Sequence, residues 1–503
     1  MSSRSTAVVG GTAVALFALA YLAPLTYGRG PDMDEGALVA YPARVLDGLV
    51  PHRDFLTFYG PGNLWILAGA FAVFGEGVGT ERAVAMVYRL LIVLALFLIA
   101  LRMAGVAAAT LAGVIATVAM SQELVWAYSM YGALAFGLLG IALAASAPGN
   151  LDHRQLVVLL CAGAAGGLAV LIRFDFVPAV ALGLLPLLTL VSVRARLWCA
   201  AGLVAAMALY AFHLGLVGPE RIARVVGDLL ASGPGRELPI PRPWGFPWNL
   251  LTISGLVALI LLAVGGVLWR HRPADPVPRI LVGVALFDLA LLPYVLSRAD
   301  VAHIRPVSIV PLSLLPALAL YLLSPPAEDR LRKAARAGVV VVTLAAIVSY
   351  GDFTLNHARA LEDVRSAYRG FLGDHNRREV TAIVARLRNL SRSGESVYVG
   401  PQDLRRTNYG PTYIYSMLPE LRAASYYMEF NPGTATREGS GFADELRRAD
   451  WLILTSSWDG WNEPNASTRF GSDEPNEVVR EDFCVRLVAG DYRLYERCNR
   501  VAS

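Results

Sequence analysis

Residues 83–104 read AVAMVYRLLIVLALFLIALRMA and residues 105–122 read GVAAATLAGVIATVAMSQ, with Arg89 and Arg102 as their only charges. An apolar helix rising 1.5 Å per residue needs about 20 residues to cross roughly 30 Å of hydrocarbon. These two stretches are therefore long enough for two passes. The same pattern recurs outward along the chain, in apolar blocks at 7–27, 126–147, 155–172, 176–193, 197–217, 248–269, 280–297, 306–323 and 337–352. That makes about eleven spans of an α-helical polytopic membrane protein. A shorter apolar piece at 62–75 reads as re-entrant or interfacial.

Composition agrees. Of 503 residues, 55% are hydrophobic and only 17% are charged, against about 25% charged in an ordinary soluble domain. Mean hydropathy is +0.49. A soluble globular enzyme, a disordered chain and a fibrous protein are all excluded. The net charge of +4 is small, and arginines are scattered or sit at helix ends, so nothing reads as a nucleic-acid patch.

Short loops rich in arginine face the cytoplasm. Arg102, His153-Arg154, Arg194 to Arg196, Arg270 to Arg279 and Arg330 to Arg336 then lie inside, together with the N-terminus. The opposite loops are longer and rich in Trp, Pro and Gly. An odd number of spans places the last 150 or so residues outside, in what is expected to be a bacterial plasma membrane. This gives a membrane domain over 1–352, with its first outer loop at 28–82, and an extracytoplasmic domain over 353–503. In the latter, helical stretches (Arg377 to Arg392, Gly441 to Arg448) alternate with strand-like runs at 396–400, 451–455, 485–488 and 492–496, the pattern of a small α/β domain. Cys484 and Cys498 flank a hairpin turning near Gly490-Asp491, and a disulfide between them is an open expectation on the oxidising side. Cys161 and Cys199 fall within spans and read as small buried apolar residues.

The first outer loop is the richest in chemistry. It runs Gly30-Pro-Asp-Met-Asp-Glu-Gly-Ala-Leu-Val-Ala-Tyr-Pro-Ala-Arg and returns through Pro51-His-Arg-Asp-Phe-Leu-Thr-Phe-Tyr-Gly-Pro-Gly. Asp32, Asp34 and Glu35 cluster at the outer end of the first helix. They are either a solvated acidic helix start or the head of a functional surface helix. An Asp-Glu pair just past the first helix, a surface helix with Tyr41, an Arg-Asp-Phe…Tyr-Gly-Pro return and many following spans resemble the GT-C membrane glycosyltransferases. Within them they resemble most the protein-mannosyltransferase and lipid A aminoarabinose-transferase branch. The resemblance covers about residues 7–350 and is strongest over 30–105.

It implies an inverting transfer of a hexosyl or pentosyl group from a polyprenyl-phosphate-linked donor to a hydroxyl of a glycan, lipid or protein acceptor at the outer face. A carboxylate within hydrogen-bond reach must take the acceptor's proton, and the match places Asp34 there, with Glu35 as neighbour and substitute. Glu123, in Ser121-Gln122-Glu123, stands where the family has a second acid. It is expected to orient the acceptor, to join a divalent cation, or merely to reach water from a helix end. The leaving lipid phosphate needs fixed cations, and arginine's planar fork suits phosphate oxygens. The loop Arg298-Ala-Asp300-Val-Ala-His303-Ile-Arg305 offers Arg305 and His303 first and Arg298 next, and the turn Arg173-Phe174-Asp175 offers Arg173. Each could equally be an interfacial anchor.

Asp288 and Arg89 lie within spans, where a charge faces a partner or a wet cavity. A mutual ion pair is the first expectation, lining of the donor cavity the second and a proton relay the third. The segment 218–248, with Arg221, Arg224, Trp244 and Trp248, reads as an amphipathic interfacial helix. No cofactor motif and no His/Cys cluster is present. Two rival functions stand beside the transferase: a transporter or flippase of a lipid-linked sugar, which would be expected to show repeated halves or paired broken helices, and a non-catalytic membrane assembly protein.

Overall fold

The computed structural model describes residues 3–27, 33–121, 123–147, 152–323, 377–406, 410–431, 433–460 and 462–498. The expected span at 337–352, the basic stretch 330–336 and Asp32 lie outside the described residues. Among the described residues, seven helices are long and apolar enough to cross a membrane, and Gly62–Phe74, Ser129–Ala145 and Phe174–Leu188 are shorter apolar helices. Every other block read as a span coincides with helix.

The chain divides into two compact units, one of Met1–Gly28, Arg82–Ala211 and Ile240–Ala367, the other of Arg29–Glu81, Phe212–Pro239 and Tyr368–Ser503. The second unit thus gathers more than the C-terminal domain.

The first unit is helical. It holds α1 (Ser3–Leu22), nearly all of α4 (Val78–Met120), α5 (Ser129–Ala145), α6 (His153–Ile172), α7 (Val177–Leu188), most of α8 (Val193–Val217), α10 (Phe246–His271), α11 (Val277–Leu289), α12 (Leu292–Ser297) and α13 (Val301–Leu323). Helix α4 is broken at Ala104-Gly105, where Gly105 takes φ +83°. That left-handed backbone suits glycine, so the 43-residue run becomes two helices, divided where the sequence divides it. Helices α6 and α8 cross closely enough that a Cβ on Gly163 would overlap the Cys199 carbonyl, and one on Gly202 the Leu160 carbonyl. Small residues bring backbones together in this way where apolar burial gives helices no preference over lipid.

The second unit contains α2 (Asp34–Leu46), α3 (Gly62–Phe74), the amphipathic α9 (Pro219–Arg236), α14 (Arg377–Leu390), α15 (Phe442–Arg447) and α16 (Glu474–Asp482). Its sheet runs β2 (Arg422–Ala423), β1 (Ser396–Pro401), β3 (Trp451–Thr455), β5 (Tyr492–Arg497), β4 (Phe483–Ala489). Strand β1 is parallel to both neighbours, whereas β5 is antiparallel to β3 and β4. Cys484 of β4 and Cys498, just past β5, form a disulfide. The core joins Ala37, Ala40 and Tyr41 of α2 and Phe55 to Val380 and Ile383 of α14 and to Val397, Trp451 and Leu494 of the sheet. The acidic loop helix therefore packs on the C-terminal domain as part of one core.

Candidate active site

Helix α2 opens with Asp34 and Glu35 in its first turn, where the positive end of the helix dipole favours carboxylates. The two acids differ in exposure. Glu35 is 0% exposed, while Asp34 is half-buried and reaches the surface. The C-terminal domain fixes this turn from behind. Thr412 Oγ1 donates to the Met33 carbonyl at 2.6 Å, and Gly36 lies so near the Tyr413 backbone that an added Cβ would come within 2.5 Å of its amide nitrogen.

Two turns along the same face, Tyr41 Oη donates to Glu429 Oε2 at 3.4 Å. The other oxygen of Glu429 accepts from Asn431 Nδ2 at 3.1 Å. Burial, and then the negative charge of Asp34, push the Glu429 carboxyl up to about 7, against the pull of Arg236, Asn431 and Tyr41. Farther along the loop, His52 Nδ1 lies 2.9 Å from His213 Nε2. Burial pushes His52 down to about 4.

The first unit carries the cations. The structure corrects the reading of 298–305 as a loop: α13 begins at Val301, because the Asp300 carboxylate accepts from the His303 amide at 3.0 Å and so caps the helix. His303 and Arg305 consequently sit on its first turns, ahead of Pro306. Asp300 also lies 2.7 Å from His303 Nδ1 and 3.8 Å from Arg298 Nε. Burial raises its pKa, but His303 and Arg298 hold it below the ordinary carboxylate range.

Arg173 is clamped by both oxygens of Asp175, at 3.0 and 2.6 Å, and its guanidinium stands 4.5 Å from the ring centre of Tyr294. The His303 ring packs against the same tyrosine at 5.3 Å between centroids, and Tyr294 shares a 2.9 Å hydroxyl–hydroxyl bond with Tyr128. Tyr294 thus joins the turn bearing Arg173 to the segment bearing Arg298 and His303. Arg305 is held by Glu123: its Nη1 donates to Oε1 at 3.1 Å, while Tyr131 Oη donates to Oε2 at 2.9 Å.

The expected Asp288–Arg89 pair is not formed. Arg89 donates to the carbonyls of Leu124 and Trp126, each at 3.0 Å, and stands 4.1 Å from the Tyr131 ring centre. Main-chain oxygens and an aromatic face supply the partners that a carboxylate was expected to give. Arg89 therefore holds the turn 124–126, next to Glu123. Asp288 is buried, and its Oδ1 has no hydrogen-bond partner among the described residues.

Among the described residues no three His, Cys, Asp or Glu side chains gather as a metal site, and both Glu123 oxygens are engaged. Glu123 serves Arg305 and Tyr131. Reading the sequence passes over Tyr128, Tyr131, Tyr294, Asn431 and Glu429. The tyrosines flanking Ser129-Met130 and the Pro293-Tyr294 step are the only local cues, and none points to chemistry.

No protein-family model and no curated protein sequence matches the chain. Solved structures do. ArnT from Cupriavidus metallidurans bound to undecaprenyl phosphate superposes with TM-score 0.57 at 13% identity, covering 97% of each chain. The arabinofuranosyltransferase AftD from mycobacteria gives 0.53 at 15% identity, over 99% of this chain and 40% of its own. The Archaeoglobus fulgidus oligosaccharyltransferase in complex with zinc and sulfate gives 0.51 at 12% identity, over 95% and 71%. These neighbours are GT-C glycosyltransferases, and the chain has their fold.

Proposed function

We propose that this protein is an inverting glycosyltransferase that moves a sugar from a polyprenyl-phosphate-linked donor to an acceptor hydroxyl at the outer face of the membrane. The observation that carries the reading is end-to-end likeness, over 97% of both chains, to a structure solved with undecaprenyl phosphate.

In the reaction, Asp34 takes the acceptor's hydroxyl proton as that oxygen bonds to the anomeric carbon. The bond from that carbon to the phosphate oxygen breaks, and polyprenyl phosphate leaves with the electron pair. Position at a helix N-terminus and partial exposure favour Asp34 over the buried Glu35. Arg305, Arg298, His303 and Arg173 hold the phosphate. A guanidinium presents five N–H donors, so it can hold a carboxylate on one edge and phosphate on another. Glu123, Asp300 and Asp175 each lie against one of these arginines, which keeps its fork in place before charge develops on the leaving group.

A transporter would be expected to carry its charges near the membrane midplane. Here the clustered groups lie at helix starts and in connecting turns, which favours the transferase. The test is to purify the protein from its native membrane and identify the co-purifying lipid by mass spectrometry. A polyprenyl-phosphate-linked sugar is expected, consumed when acceptor is supplied. A donor that stays bound and unconsumed with every acceptor fraction of the envelope would overturn the reading.

A further inference from the structure

We propose that the C-terminal domain carries a binding site for an anionic oligosaccharide, in the crevice beyond the carboxyl ends of β1 and β3. That this glycan is the acceptor rests on the transferase reading above; the binding itself does not.

Topology places the crevice. Strands β1 and β3 are parallel neighbours, and the chain leaves them towards opposite faces of the sheet. From β1 it passes through the short helix Thr412–Met417, whose Tyr413, Ile414 and Tyr415 pack with Val397, Val399 and Ile453. From β3 it passes to α16, whose Val478 and Val479 pack with Tyr398, Leu452 and Leu454. Alternate residues of a strand face opposite ways, so these are the two faces. Where neighbouring parallel strands send their connections apart, a crevice opens at their carboxyl ends, and open α/β sheets bind ligands there.

The residues beyond those ends suit a sugar. Gln402, first after β1, donates its amide to the Thr455 carbonyl of β3 at 2.7 Å. Farther along, Arg406 Nη2 donates to Asn462 Oδ1 at 3.0 Å, which joins the loop after β1 to the loop after β3. The guanidinium carbons of Arg405 and Arg406 stand 4.7 and 5.7 Å from the ring centre of Phe470. The backbone beside Phe470 is fixed. The Gly471 amide donates to the Arg405 carbonyl at 2.8 Å, and a Cβ on Gly471 would overlap Thr436. The phenyl ring is nonetheless 61% exposed. An apolar ring held open by its own backbone lacks the burial that stabilises such rings elsewhere, and the C–H face of a sugar supplies that cover.

Charge selects among sugars. Arg405 is taken by Asp403, at 3.0 and 2.8 Å, and by Asp473 at 3.6 Å. Arg406 meets the neutral amide of Asn462, and among the described residues it forms no ion pair. A guanidinium has five N–H donors, so Arg406 keeps others for a carboxylate or phosphate. The same loop leads to the acidic turn. Thr412, six residues beyond Arg406, donates to the Met33 carbonyl beside Asp34. Six residues span at most about 22 Å, a reach that suits an oligosaccharide and not a single sugar.

The probe is an array of bacterial envelope oligosaccharides, neutral and uronate- or phosphate-bearing, read with the purified full chain in detergent. Wild type should bind acidic members, and their neutral counterparts at least tenfold more weakly. Phe470→Ala removes the ring, and Arg406→Gln keeps a donor for Asn462 but no charge. Each should weaken the binding about tenfold without loss of fold. The two substitutions lie on different segments, so one serves if the other fails to fold. Absence of binding to every acidic member, equal binding to neutral ones, or wild-type affinity in either folded variant would overturn the proposal. The acceptor role is read from KM for a bound glycan, which should rise about tenfold in both variants; an unmoved KM would remove that role. Failure of the transferase reading looks different: wild type then glycosylates no array member, while binding and its loss in the variants remain.

Discussion

Arg305 Nη1 donates to Glu123 Oε1 at 3.1 Å, a contact between residues 182 apart in sequence. With Tyr131 on the other carboxylate oxygen, the arginine at the start of α13 is locked in one orientation before any ligand arrives. Such a clamp lowers the cost of ordering a long side chain around a phosphate.

If that orientation serves a phosphate, Arg305→Lys should lose activity by about tenfold although the charge is kept, because lysine cannot form the paired bonds. Arg305→Ala should lose more. Glu123→Gln should be partly silent in the Arg305→Ala background, since the carboxylate acts through the arginine. Kinetics of Arg305→Lys equal to wild type would leave Arg305 as a simple interfacial anchor.

Gly36→Ala should disturb the acidic turn through packing alone. The added methyl has no room against the Tyr413 backbone, and that atom belongs to a main chain that cannot swing away. A lowered melting temperature together with turnover reduced by about tenfold or more is expected. Full activity and stability would show that the contact of α2 with the C-terminal domain is loose.

These two sites show what was legible in the sequence. Apolar runs interrupted only by Arg89 and Arg102 identify α4, and Gly105 marks its break because left-handed backbone suits that residue. The strand runs of the C-terminal domain are likewise local patterns. Glu429 was invisible, for it meets the hydroxyl of Tyr41 on α2 across 388 residues of sequence. Pro306 disguised the start of α13, whose true signal is the Asp300 cap. The Asp288–Arg89 expectation failed because the arginine is satisfied by the main-chain carbonyls of Leu124 and Trp126, which every sequence contains.

His52 gives a stability prediction. Its folded-state pKa, about 4, lies below the ordinary 6.5, so the unfolded chain binds a proton that the folded chain refuses. Its contribution to stability is therefore full above about pH 6.5 and lost progressively as pH falls towards 4. The 2.9 Å bond to His213 requires one bare ring nitrogen, in the same sense. The melting temperature in detergent should fall over this window for wild type and fall less for His52→Gln. Parallel curves for the two proteins would contradict the assignment.

Orientation is tested with single cysteines in a background whose four native cysteines are replaced. Thr468→Cys, on the C-terminal domain, should react in intact cells with a membrane-impermeant thiol reagent. Ser192→Cys, beside the basic stretch Arg194 to Arg196, should not. The reverse pattern would put the acidic helix inside.

The central claim is that Asp34 accepts the acceptor's proton in a glycosyl transfer. The most direct measurement is release of polyprenyl phosphate from the co-purified lipid-linked donor, with acceptor present, by wild type and by Asp34→Asn at equal donor occupancy. Release is expected to be at least a hundredfold slower for Asp34→Asn, with donor still bound. Release by Asp34→Asn at the wild-type rate would contradict it.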